Sequence, residues 1–154
     1  MKLNYIIIPL IVLATSLLGS LFTNKGMEWY NTLKLPSITP PGSVIGAVWT
    51  VIFILSAISA IIVWNKAKHD NIFWIIIAIF IVNALLNALW SYLFFYQGLL
   101  LAPIIEMIVL NLTTLALIIL IWPISKLASA LLIPYFIWVS FATYLATTIW
   151  QINK

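Results

Sequence analysis

The sequence predicts an all-α membrane protein, a bundle of five transmembrane helices. Of its 154 residues, 65% are hydrophobic and only 6% are charged, and the mean hydropathy is +1.20. A typical soluble domain is about half apolar and about a quarter charged, so this chain has too few polar groups to cover its surface in water. The composition therefore indicates a lipid bilayer as the solvent.

Five runs that are uncharged or nearly so supply the predicted helices. They are residues 5–22, 43–64, 72–96, 99–122 and 127–150. Each can cross a hydrocarbon core about 30 Å thick at about 1.5 Å per residue. Lipid offers no partner to backbone amides and the runs do not alternate as barrel strands do, so helices are expected. Residues 1–154 are interpreted as one transmembrane domain.

The first run also resembles a secretory signal, because Lys2 precedes an apolar stretch. The run is long for the apolar part of a signal peptide, and no A-x-A cleavage site follows it. We therefore expect a retained helix.

The connections between the runs are short, with one exception. Short links make consecutive helices antiparallel neighbours. Residues 23–42 form a longer connection that contains Pro36, Pro40 and Pro41 and the aromatic pair Trp29-Tyr30. Long connections in compact domains are often functional, and this composition predicts an ordered loop that caps the bundle.

The basic residues are seven lysines with no arginine. They are scattered and make no nucleic-acid patch, so they are interpreted as charges that flank a cell membrane crossed several times. Five spans place Lys2, Lys66, Lys68 and Lys126 on one side and Lys25, Lys34 and Lys154 on the other. This near balance favours a cytoplasmic amino terminus only weakly.

The numbers of cysteine, histidine and acidic residues exclude several kinds of active site. There is no cysteine, a single histidine (His69) and three acids in all, Glu28, Asp70 and Glu106. Disulfides, thiolate chemistry and histidine-rich metal sites are therefore ruled out, and no metal is expected. Carboxylate pairs on one helix face and phosphate-binding glycine loops are also missing, which disfavours hydrolytic and phosphoryl-transfer enzymes.

The third run carries a polar stripe. Asn83, Asn87 and Ser91 follow one another at every fourth residue and so share a helix face. Amides in lipid need partners, so this face is expected to point into the bundle. Each asparagine either joins two helices by hydrogen bonds or, for Asn87, touches a ligand. Two interpretations also remain for Glu106 in the fourth run: it is either a functional acid or a neutral, hydrogen-bonded side chain.

Aromatic residues on three helices predict a pocket. Trp49 and Phe53 share a face of the second helix, Trp90 lies beside Asn87, and the fifth helix carries an aromatic stripe that follows Pro134. An apolar pocket with few polar groups suits a large, flat, hydrophobic ligand. The residues assigned to this pocket are Tyr30, Pro41, Ile45, Trp49, Phe53, Asn87, Trp90, Trp138, Phe141, Ala142 and Leu145. Pro134 is expected to kink the fifth helix.

At this point the sequence resembles the TspO/MBR family, also known as the translocator protein, tryptophan-rich sensory protein or peripheral benzodiazepine receptor family. The matching pieces run through all five helices: Trp29-Tyr30, Leu33, Pro36-Ser37, Pro40-Pro41, Trp49, Asn87, Trp90, Phe94-Phe95, Glu106 and Pro134-Tyr135-x-x-Trp138-x-x-Phe141-Ala142-Thr143. The absence of arginine and the wealth of isoleucine, asparagine and lysine fit a bacterial member. Thr147 and Thr148 replace the tyrosines of the cholesterol-recognition motif, which argues against cholesterol binding by that motif.

The resemblance implies a membrane receptor or sensor of porphyrins such as protoporphyrin IX, and of isoquinoline and benzodiazepine drugs. It implies no required cofactor, and a tetrapyrrole, protoporphyrin IX or haem-like, as the ligand. One alternative is light-dependent porphyrin degradation, in which Trp49 and Trp138 would be the catalytic residues. A second alternative is a tetrapyrrole or sterol transporter.

Small residues recur on the first helix at four-residue spacing, as Thr15-x-x-x-Gly19 and Ser16-x-x-x-Ser20, and Gly46 begins the second. Such faces let helices approach closely in lipid. They predict a homodimer, although the same residues can also serve packing within one chain.

Overall fold

The structure, a computed structural model, describes residues 3–154. Its helices are α1 (Asn4–Tyr30), α2 (Gly42–Lys66), α3 (Asn71–Ser91), α4 (Leu101–Ile121), α5 (Lys126–Ala130) and α6 (Ile133–Asn153), and α3 continues as a π-helical segment, Tyr92–Tyr96. Within residues 3–154, five segments are long and apolar enough to cross a membrane. The predicted fold class, an all-α bundle of five transmembrane helices, is confirmed, and the chain is a multi-pass membrane protein.

The prediction for residues 23–42 is wrong in its first part, because α1 continues to Tyr30 and the connection comprises only residues 31–41. The polar residues after Phe22 mark the end of the apolar part of the helix and not the end of the helix itself. The extra two turns stay helical because they pack against the π-helical segment. Trp29 meets Phe94 edge to face with ring centroids 5.5 Å apart.

Residues 31–41 are attached to the far end of the chain. The Asn153 side chain, at the end of α6, accepts a hydrogen bond from the Lys34 backbone N–H and donates one to the Lys34 carbonyl, both at 2.9 Å. A side-chain amide that pairs with both backbone groups of one residue fixes that residue as a strand neighbour would. The connection therefore closes over the end of the bundle where α1 ends and α6 ends.

The fifth span, predicted as one helix over residues 127–150, is broken near its start. α5 ends at Ala130, and α6 begins at Ile133 with Pro134 in its first turn. Proline lacks a backbone N–H and fits a first turn without losing a hydrogen bond, so Pro134 begins a helix and does not kink one. The backbone near the break has a partner on another helix, since Ser59 Oγ of α2 donates to the buried Ala128 carbonyl at 2.8 Å.

The helices pack in a definite order. α4 lies against α3 and α6, α1 lies against α2 and against α3 with its π-helical segment, and α5 fills the space between α2 and α4. Two buried clusters hold this arrangement. One joins α2, α4 and α6 through Ile52, Ile104, Met107, Leu110, Tyr135, Val139 and Ala146. The other consists of Val63, Phe73, Ile76, Leu117, Ile121, Ala128 and Leu132, at the opposite end of the bundle.

The small residues of α1 serve packing within this chain. Thr15 is buried, and a Cβ added at Gly19 would lie 3.4 Å from Ser91 Oγ. Gly26 is the tightest point, since a Cβ there would overlap the backbone carbonyl of Phe95. The close approach of α1 to the π-helical segment therefore depends on Gly26. Gly46 on α2, in contrast, has open space around it, and a Cβ added there would have no neighbour within 4 Å.

We predict that Gly26→Ala lowers the thermal midpoint of the detergent-purified protein. The added methyl group meets rigid backbone and forces α1 away from the π-helical segment, at a cost of about 1–3 kcal/mol. Gly46→Ala is the matched control, because it adds the same group to open space and should be neutral or stabilising by up to about 1 kcal/mol. Equal midpoints for both variants would contradict the close approach.

Candidate functional site

A buried hydrogen bond joins α3 to α6 at the centre of the site. Asn87 Nδ2 donates to the Tyr135 hydroxyl oxygen at 3.0 Å, and both residues are buried. Because α6 begins at Ile133, Tyr135 lies in its first turn and is held there by helix geometry. Trp49 of α2 meets the Tyr135 ring edge to face, with centroids 5.9 Å apart. Three helices therefore converge on Tyr135.

Indole rings surround this hydrogen bond. Trp49, Trp90 and Trp138 are half-buried and pack against the core cluster that contains Tyr135. We call Trp49, Trp90, Tyr135 and Trp138 the aromatic cluster. Further rings extend it in three directions: Phe53 lies 5.7 Å from Trp49, Phe141 lies 5.5 Å from Trp138, and Phe94 stacks on Trp90 at 5.3 Å. Ala142 also packs against this core.

Three polar side chains at the site have no partner within residues 3–154. They are the Trp90 and Trp138 indoles, whose Nε1 atoms are buried, and Glu106, both of whose carboxyl oxygens are buried. Glu106 on α4 is 7% exposed. An unsatisfied buried polar group costs about 1–3 kcal/mol, so the chain maintains these groups at the expense of its stability.

Asn83 joins two helices by hydrogen bonds, which is one of the roles that the sequence allowed for the asparagines. Its Nδ2 donates to Thr113 Oγ1 at 2.9 Å and to Thr114 Oγ1 at 3.0 Å, which ties α3 to α4. The two asparagines of the polar stripe therefore differ. Asn83 is shared between two hydroxyls of the next helix, whereas Asn87 orients a single phenol at the aromatic cluster.

A cavity of about 130 Å³ borders the Asn87–Tyr135 pair. Its walls include Phe53 and Ser56 of α2, Thr15 of α1, and Asn87 and Tyr135 themselves. This volume is smaller than the roughly 300–1,000 Å³ of sites that hold drug-sized ligands. A drug-sized ligand would fit this cavity only if side chains or helices moved.

The remaining predicted residues lie at the end of the bundle covered by residues 31–41. Tyr30 belongs to α1 and not to the loop, and its ring lies 6.1 Å from Phe94, which in turn stacks on Trp90. Pro41 is exposed at the start of α2, and Ile45 and Leu145 are half-buried. The assignment of these four residues to a ligand pocket stays a prediction, as does that of Trp49, Phe53, Asn87, Trp90, Trp138, Phe141 and Ala142.

Tyr135 is the residue that the pocket assignment from the sequence omits. A signal for it exists, because a tyrosine three residues before Trp138 and inside an apolar run needs a partner for its hydroxyl. Asn87 is an available amide, but nothing in the sequence pairs these two positions. Among residues 3–154, no three histidine, cysteine, aspartate or glutamate side chains come together as a metal site would require.

The sequence model of the TspO/MBR family matches residues 6–151. The chain belongs to the TspO/MBR family. It is 37% identical to the tryptophan-rich protein TspO of Bacillus cereus, over 99% of each chain. It is 36% identical to the tryptophan-rich protein TspO of Chlorobaculum tepidum, over 92% of this chain and 90% of the relative. It is also 27% identical to the human translocator protein, over 88% of this chain and 81% of the relative. The family membership predicted from the sequence is confirmed.

We predict that Tyr135→Phe destabilises the protein by about 1–2 kcal/mol. The substitution keeps the ring but leaves the buried Asn87 amide without its acceptor. Tyr144→Phe, on the exposed side of the same helix, removes the same hydroxyl and should leave the thermal midpoint unchanged. In the double variant Asn87→Leu/Tyr135→Phe, the loss should be smaller than the sum of the two single losses. Additive losses would mean that the two side chains do not interact.

Proposed function

We propose that the chain is a membrane receptor or sensor that binds porphyrins such as protoporphyrin IX at the aromatic cluster. The same cluster would take related flat hydrophobic ligands, including isoquinoline and benzodiazepine-type drugs. The observation that supports this most directly is the set of buried polar atoms without a protein partner beside indole rings: Trp90 Nε1, Trp138 Nε1 and the Glu106 carboxyl. Native proteins rarely bury such groups unless something else pairs with them.

The chemistry of a free-base porphyrin complements this set. Its flat face stacks on indole rings, and each such aromatic pair adds about 0.5–1.5 kcal/mol beyond burial. Its peripheral carboxylates accept hydrogen bonds, which indole N–H groups donate. Its inner N–H groups donate, and the oxygens of Glu106 accept. A purely aliphatic ligand would leave all of these groups unpaired.

Light-driven porphyrin breakdown is the second candidate. Trp49 and Trp138, both packed against the core that contains Tyr135, support it. An excited porphyrin transfers energy to molecular oxygen, which is the oxidant in this scheme. Both oxygen atoms would add across a carbon–carbon double bond of the porphyrin, whose cleavage leaves two carbonyl groups, while Trp49 and Trp138 would hold the ring in place. No acid or base of the protein is needed.

We predict that Trp138→Phe weakens dark binding of protoporphyrin IX about two- to tenfold, because it removes an indole N–H and part of a stacking surface. The measurement is quenching of tryptophan fluorescence on titration with the porphyrin in detergent. Trp122→Phe is the control, since Trp122 is 50% exposed at the end of α4. Equal affinities for both variants would place the ligand elsewhere.

Illumination of the same samples separates the two candidates. Loss of the Soret band that requires oxygen, is faster with the wild type than with free porphyrin and is reduced in Trp138→Phe supports turnover. A stable Soret band with quenched tryptophan fluorescence supports binding alone.

We predict opposite effects of Glu106→Leu on stability and on ligand choice. The variant should have a higher thermal midpoint without ligand, because a buried carboxyl with no partner is replaced by an apolar group. It should lose affinity for free-base protoporphyrin more than for the zinc complex, which has no inner N–H. Met107→Leu, a volume-conserving change at the next position, is the control. An unchanged preference between the two porphyrins would contradict the role of Glu106.

Pairing with a second copy of the chain also stays a proposal. Thr15 and Gly19 are used within the chain, whereas a Cβ added at Gly42 or Gly46 on α2 would have nothing within 4 Å. Close helix contact in lipid needs such small, open positions. Crosslinking in membranes should therefore trap a dimer through α2, and a yield of monomer alone would contradict it.

A further inference from the structure

A second and larger cavity lies at the end of the bundle opposite to residues 31–41. Its volume is about 510 Å³, and it is formed where α1 begins and α2 ends. The residues that line it are Leu3, Asn4, Ile7, Ile8, Trp64, Asn65, Ala67 and His69. This volume falls within the range of ligand sites. None of these residues belongs to the aromatic cluster.

One wall of this cavity is polar and well ordered. Asn4 is 5% exposed, and its Nδ2 has no hydrogen-bond partner within residues 3–154. His69 stacks on Phe73 with ring centroids 4.1 Å apart, and its Nε2 lies 3.1 Å from the Trp64 carbonyl oxygen. Because a carbonyl only accepts, Nε2 carries the hydrogen. These two contacts hold the exposed histidine ring in one orientation at the side of the cavity.

The opposite wall is apolar and opens toward the side of the bundle. Leu3 is 67% exposed and Ile7 is 44% exposed, and in a membrane protein such residues on an outer helix face the acyl chains. Ile8 continues this surface into the protein. The cavity is therefore polar at the end of the helices and apolar along α1, which is the polarity of a lipid lying in one leaflet.

Two lysines stand beside the polar wall. Lys66 and Lys68 alternate in sequence with the lining residues Asn65, Ala67 and His69. Neither ammonium group pairs with an acid or lies over a ring within residues 3–154. The one acid beside them, Asp70, caps α3 by accepting from the Phe73 N–H at 3.0 Å. Lys66, Lys68 and Asp70 together leave this segment with a net positive charge, and the two lysines follow directly on residues that line the cavity.

Three other lysines are placed differently. Lys25, Lys126 and Lys154 each lie over an aromatic ring, at 5.7 Å, 5.8 Å and 5.2 Å from the centroid. Their charge is partly used by these cation–π contacts. Lys66 and Lys68 therefore differ from them in being available to an anion.

We propose that this cavity is a binding site for an anionic phospholipid. The phosphodiester lies at the mouth, where the Lys66 and Lys68 ammonium groups and the Asn4 amide can donate to it. One acyl chain runs along Leu3 and Ile7. A lysine close to a membrane surface favours anionic lipid over zwitterionic lipid, and two lysines act together. A headgroup without the acyl chain would leave the apolar wall uncovered.

The test is native mass spectrometry of the full-length detergent-purified protein with added phosphatidylglycerol or phosphatidylcholine. We expect the wild type to retain phosphatidylglycerol preferentially. Lys66→Gln/Lys68→Gln should reduce that preference by about tenfold. Lys25→Gln/Lys34→Gln makes the same change in net charge at the other end of the bundle and should leave the preference unchanged. Both variants alter exposed side chains, so folding should be retained.

Two further arms identify the ligand and its place. Ala67→Trp fills the cavity and should reduce the retention of phosphatidylglycerol, whereas free glycerol phosphate should not displace the lipid. Equal retention of the two lipids by the wild type would overturn the proposal. Equal losses in the two lysine pairs, displacement by free glycerol phosphate, or full retention in Ala67→Trp would also overturn it. Porphyrin binding at the aromatic cluster should be unaffected by the lysine variants.

Discussion

A polar group that the chain carries into lipid must find its partner inside the bundle, because the hydrocarbon supplies none. This constraint positions the helices more sharply than apolar contact does, since lipid tails compete with apolar side chains for the same surfaces. Asn83 ties α3 to α4 through two threonine hydroxyls. Asn87 ties α3 to α6 through Tyr135, and Ser59 ties α2 to the short helix α5. Each of these bonds fixes both the depth and the rotation of the helices that it joins.

The buried polar groups that have no partner in the bundle are informative because the hydrocarbon cannot supply one either. Trp90, Trp138 and Glu106 keep buried polar atoms without a partner in the described part of the chain, and all three belong to helices already fixed by the asparagine bonds. An apolar residue of similar volume at position 106 would relieve the penalty there. Their presence therefore reflects a demand other than stability, and functional sites are where such demands are met.

The spans and the polar stripe of α3 could be predicted from the sequence because they depend on hydropathy and on the spacing of residues along one helix. The end of α1 could not, because Thr23 to Tyr30 are polar in sequence and helical only through contact with the π-helical segment. Gly26 makes that contact possible, and its partner Phe95 is distant in the chain. The start of α6 could not be predicted either: Pro134 is compatible with a kink or with a first turn, and only the end of α5 at Ala130 shows that it lies in a first turn. The role of Tyr135 could not be predicted, because its hydrogen-bond partner, Asn87, lies on another helix.

The aromatic cluster and the larger cavity are at opposite ends of the bundle, yet they are connected through shared walls. Ile7, Ile8 and Trp64 line both the cavity of about 510 Å³ and the cavity of about 130 Å³. The smaller cavity in turn is bounded by Asn87 and Tyr135, which hold the aromatic cluster in place. A change in the rotamer of Trp64 therefore alters the volume available on both sides of it, because a close-packed interior transmits such a displacement to its neighbours. A continuous line of side chains therefore runs from the start of α1 to Asn87 and Tyr135. This line passes through α1, which packs against α2, α3 and the π-helical segment, so a shift of this helix would alter its contacts with all three.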